Sequence, residues 1–132
     1  MFQSLNVLAE DVRIKVNLPD PMREHMLANM RDHLMALETI TRNLARQQYD
    51  EAAEVAENRL GMSSLKTHGA SHMAQFLPKQ MGAIGTRMHQ AASRFSRAAK
   101  DAELDGGLNK AFSALSEVMQ QCVTCHSGFR VH

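Results

Sequence analysis

The sequence predicts an all-α protein, an antiparallel four-helix bundle with a short helical extension at its N-terminus. Three observations carry this. Apolar residues recur at spacings of three and four over four separate stretches, each long enough for a helix. Pro, Gly and Asp-Gly signals divide those stretches. Strand signals are missing, and aromatic residues make up only 5% of the chain, with no Trp and one Tyr. A chain of 132 residues has room for one core, so residues 1–20 are read as the extension and residues 21–132 as the domain.

Taken in order, residues 4–16 place Leu5, Leu8 and Val12 on one side and predict a short N-terminal helix. Asn17-Leu18-Pro19-Asp20-Pro21 breaks it. Asp20 before Pro21 is an N-cap and first-turn pair, which starts the first bundle helix. Met26, Met30, His33, Leu37, Ile40 and Leu44 form its face, through about Ala45. A second helix is expected over residues 49–66, with Ala52, Val55, Ala56 and Leu60 inward, the alanines allowing close approach. Residues 67–77 read as a polar connection containing a turn of helix. Pro78 opens the third helix, faced by Met81, Gly85, Met88, Ala92, Phe95, Ala99 and Ala102. Asp105-Gly106-Gly107 is a turn, and Leu108, Ala111, Leu115, Val118, Cys122 and Cys125 share one stripe of the fourth helix. Four helices on short links pack most simply as a bundle able to hold a cofactor in its core.

Charge excludes little and favours little. A formal net charge of +1 with 22% charged residues gives no field that would draw nucleic acid or an acidic membrane. No apolar run reaches the length that spans a bilayer. The acids Asp11, Glu24, Asp32, Glu51, Glu54 and Glu57 read as exposed helix faces, so hydrolytic or acid–base catalysis has no visible machinery and no enzyme activity is expected.

The informative run is Cys122-Val123-Thr124-Cys125-His126, which uses both cysteines of the chain. Two thiols at this spacing followed by an imidazole form the attachment sequence of a c-type haem, with the His as iron ligand. A dithiol redox motif belongs at the start of a helix beside a βαβ pattern, whereas this one ends a helical run. A zinc site needs a fourth soft ligand; His132 is at hand, but no second Cys-x-x-Cys or His pair stands near it. Covalent haem c, one per chain, is the expectation. Such attachment takes place outside the cytoplasmic membrane, which points to the periplasm. Residues 1–20 lack the uninterrupted apolar core of a secretory signal, since Glu10, Asp11, Arg13 and Lys15 break it, so a removed leader is expected.

With these residues on the page, the stretch from Asp20 to His132 resembles the class II c-type cytochromes, cytochrome c′ and its low-spin relatives. The resemblance rests on Cys122–His126 followed by Ser127-Gly128-Phe129-Arg130, on four helices with the motif on the last, and on Tyr49-Asp50 opening the second helix. Val123 departs from the basic residue common after the first cysteine, and the extension is longer than usual. The resemblance implies a sixth iron position facing the first helix. Counting from Pro21 and back from Tyr49-Asp50 places Met30 there, with Met26 one turn earlier; aligning Arg23 instead places Leu27 and an open site. A thioether ligand raises the potential and suits an electron carrier; an open site suits NO or CO.

Other residues have plainer readings beside functional ones. His25 and His33 lie near that region, and a histidine there is more often hydrogen-bonded than ligating. His68 and His72 have a helical metal spacing but sit in a Gly-containing connection. Ten methionines spread along helical faces read as core filling before copper handling. Arg130 suits a haem propionate or, more simply, a helix C-terminus. The expected function is a periplasmic monohaem cytochrome in electron transfer, with iron held by His126 and Met30. The rival is a five-coordinate gas-binding cytochrome c′. Redox proteins are the implied partners, and family members commonly form dimers through the first two helices.

Overall fold

The computed structural model describes residues 10–132. Among them are five α-helices: α1 Asp20–Ala45, α2 Tyr49–Arg59, α3 Ala70–Met73, α4 Lys79–Asp105 and α5 Leu108–Gly128. Two short strands, β1 Ile14–Lys15 and β2 Phe129–Arg130, pair in parallel at the two ends of the described chain.

The long helices start and stop where the sequence places them, with small shifts. Asp20 is the first residue of α1 rather than its cap; Pro19 holds the cap position, and Asp20 instead pairs with Arg23 at 3.0 Å. At the other end Gln48 N–H donates to the Asn43 carbonyl and Gln47 N–H to that of Leu44, with Gln47 at φ 58°. That is a Schellman closure with glutamine in the left-handed seat glycine prefers. Gly106, at φ +67°, supplies the same seat between α4 and α5.

Packing runs α1 against α2, α2 against α4, and α4 against α5. The seam is lined with alanine: Ala52, Ala53 and Ala56 of α2 and Ala91, Ala92 and Ala99 of α4 are at most 1% exposed, and Phe95, Ile40, Leu44 and Leu60 fill the space around them. A second apolar cluster gathers Val16, Leu18, Met26, Met73, Met81, Ile84 and Phe129.

Three expectations are corrected here. The predicted N-terminal helix over 4–16 is extended where it is described, because Ile14 and Lys15 pair with Phe129 and Arg130 and Val16 N–H donates to the Arg130 carbonyl at 2.8 Å. Its residues 4–9 lie outside the described residues. The second helix ends at Arg59 instead of 66. A single 3₁₀ turn, Met62–Ser64, follows it, held by Met62 N–H on Ser93 Oγ at 2.9 Å and by His89 Nδ1 on the Leu60 carbonyl at 2.7 Å. In place of the simple four-helix bundle, the described residues form five helices with a short α2, and a cavity lies between α1, α4, α5 and the connection carrying α3.

Candidate functional site

The cavity, about 380 Å³, lies between α1, the connection carrying α3, α4 and α5. Such a volume falls in the range of small-molecule sites. Its walls are overwhelmingly apolar. Five of the ten methionines line it, Met26 and Met30 from α1, Met73 from α3, and Met81 and Met88 from α4, with Leu37, Leu65, Leu77 and Ile84. Gly82 and Gly85 face it from α4, and a Cβ built on either meets nothing within 4 Å.

The predicted site residues are brought together in large part. Cys122, Cys125 and His126 occupy the last turns of α5 and line the cavity opposite Met26 and Met30, which stand one turn apart on α1. Met26 is buried and Met30 half-buried. Both cysteines are free and half-buried. Burial pushes both thiols up from their ordinary pKa, the Cys122 thiolate adding to the effect at Cys125, so both are protonated at neutral pH. Arg130 stands apart from the cavity. Its guanidinium approaches Asp11 at 3.5 Å and donates to the His132 carbonyl at 2.8 Å, which ties it to the N-terminal segment. His25 donates through Nε2 to the His68 carbonyl at 2.9 Å, and His72 is exposed and stacks edge-on against Phe76.

One feature escaped sequence reading. His33, His68 and His89, from α1, the connection and α4, meet at one end of the cavity with ring centroids 4.7, 5.3 and 6.2 Å apart. Each is 8% exposed. Burial, reinforced by the neighbouring imidazoles, lowers His33 to about 4; burial likewise lowers His68 and His89. All three are neutral at pH 7. His33 was legible on its stripe, but His89 sits one position past the stripe residue Met88 and gave no signal of its own.

No family model, curated protein or solved structure matches the chain. Among the described residues, no group of three or more His, Cys, Asp or Glu side chains is placed to hold a metal ion. The expected pair of iron ligands, His126 and Met30, supplies one nitrogen and one thioether, too few for a metal centre made by the chain alone. These findings overturn the expected class II cytochrome membership, the haem c cofactor, the His/Met-ligated iron, and with them the electron-transfer and gas-binding functions. The described residues form an all-α domain of five helices with an apolar cavity, and Cys122, Cys125 and His126 lie in the wall of that cavity. No described helix is long and apolar enough to cross a membrane.

Proposed function

We propose that this protein is a carrier domain that binds one bulky, largely apolar small molecule between α1, α4 and α5, without turning it over. The observation that supports this reading is the cavity itself: about 380 Å³, walled by deformable thioethers, with two protonated thiols and an imidazole on a single helical turn. Methionine-rich walls adapt to a flat or irregular guest at little cost. Cys122, Cys125 and His126 line the cavity from α5, and Met26 and Met30 line it from α1.

The test starts with the protein as purified. Its denatured mass and absorption spectrum report whether it emerges bare. A chain that emerges bare is titrated with the neutral dye N-phenyl-1-naphthylamine. Saturable binding at one equivalent is expected, and Gly85→Leu, which grows into the cavity, abolishes it. A bare chain that binds no dye overturns the reading.

A further inference from the structure

We propose that His33, His68 and His89 form the polar subsite of this cavity, and that the Nε2 lone pairs of His68 and His89, with the unmatched His33 Nε2 beside them, bind a neutral hydroxyl or ring N–H on the buried end of the occupant. The inference rests on the carrier reading above and adds the chemistry of the guest.

A carbonyl oxygen only accepts, so the 2.7 Å contact between His89 Nδ1 and the Leu60 carbonyl places the proton on Nδ1. Neutral His89 then presents an Nε2 lone pair. Ser64 Oγ is 2.7 Å from the Gly61 carbonyl and gives its only proton there. Toward His68 Nδ1, 3.4 Å away, the same hydroxyl is left to accept, so His68 also carries its proton on Nδ1 and presents an Nε2 lone pair. His33 adds a buried Nε2 with no hydrogen-bond partner. Buried polar atoms are rarely left unmatched, and an unmatched one at a cavity end points to a missing partner. The three rings stand in a lining that is mostly apolar, with Asn29, Thr86, Gln121 and His126 its other polar members besides the two thiols.

The surroundings settle what kind of donor fits. Asp32 and Arg59, next to the group, neutralise each other through paired contacts, with Arg59 Nε on Asp32 Oδ2 at 3.2 Å. His25 is spent on the His68 carbonyl. Among the described residues, no free charge thus faces the three imidazoles, which disfavours an ionic partner in so dry a place. Nor are these side chains arranged to hold a metal ion.

Three probes of one shape separate the outcomes: naphthalene, 2-naphthol and 2-naphthoate, titrated at pH 7.5 into the full chain and into its C122S/C125S variant, which has no thiol to carry an attached group. The expected order is 2-naphthol about tenfold tighter than naphthalene, as one added buried hydrogen bond gives, with 2-naphthoate the weakest. His33→Phe keeps naphthalene binding and reduces the naphthol advantage. Equal binding of naphthalene and 2-naphthol overturns the subsite and leaves the cavity reading intact. Preference for 2-naphthoate overturns it in favour of an anion site, and failure of all three overturns the cavity reading together with the subsite.

Discussion

His33 carries the clearest consequence at the level of a single residue. Its pKa is about 4 in the folded chain against an ordinary 6.5, chiefly because burial penalises the charged ring. The unfolded chain therefore binds the proton first, and stability rises with pH between those values. It is full above about pH 6.5 and is lost as pH falls toward 4, by roughly 3 kcal/mol in all. Urea unfolding at pH 7 and pH 4.5 should show this loss, and His33→Phe should flatten much of it. Gln47 offers a gain of the opposite kind. It holds φ 58° in the Schellman closure of α1, so Gln47→Gly should stabilise by about 1 kcal/mol, read as a raised midpoint in the same denaturation.

The elements differ in how openly the sequence declared them. Helices α1, α4 and α5 were legible because long stripes at three-and-four spacing dictate a buried face, and Ile40, Leu44, Met88, Phe95 and Val118 are indeed buried. The end of α2 was not. Its apolar spacing continues past Arg59, but Gly61 admits a close turn that a helical reading ignores: a Cβ there would lie 2.8 Å from the Glu57 Cα. Because that atom is backbone and cannot swing away, Gly61→Ala should cost about 1–3 kcal/mol in a thermal melt. Gly85 responds oppositely. With nothing within 4 Å of its Cβ position, Gly85→Ala should stabilise α4 by about 0.5–1 kcal/mol while narrowing the cavity and weakening dye binding. The histidine group was illegible for a different reason. Its members come from elements far apart in sequence, and only the fold brings residues 33, 68 and 89 within ring contact.

Across the whole molecule, the core divides into a tight alanine-and-aliphatic seam and a looser methionine-rich cluster, and the cavity lies where the two meet. That division assigns stability to the first and adaptability to the second. Phe95→Ala, in the seam at 0% exposure, should cost about 3–5 kcal/mol, whereas Met81→Leu at the cavity wall should cost under 1.5 kcal/mol; chemical denaturation separates the two. The motif at Cys122–His126 located the wall of the site from sequence, since a helix stripe carries its side chains to one place. The cavity's opposite end stayed hidden, because polar side chains from three elements leave no periodic trace.

The paired strands at the two ends of the described chain act on time as well as on shape. Arg13 Nη1 donates to the His126 carbonyl across 113 positions of sequence, and β1 binds β2 beside it. Closing so long a loop is entropically the slowest contact to gain and, with only a few hydrogen bonds to hold it, among the first to be lost. The carboxyl end of α5, where both thiols lie, is thus tied to the opposite end of the described chain by these few hydrogen bonds and by the burial of Val16 and Phe129.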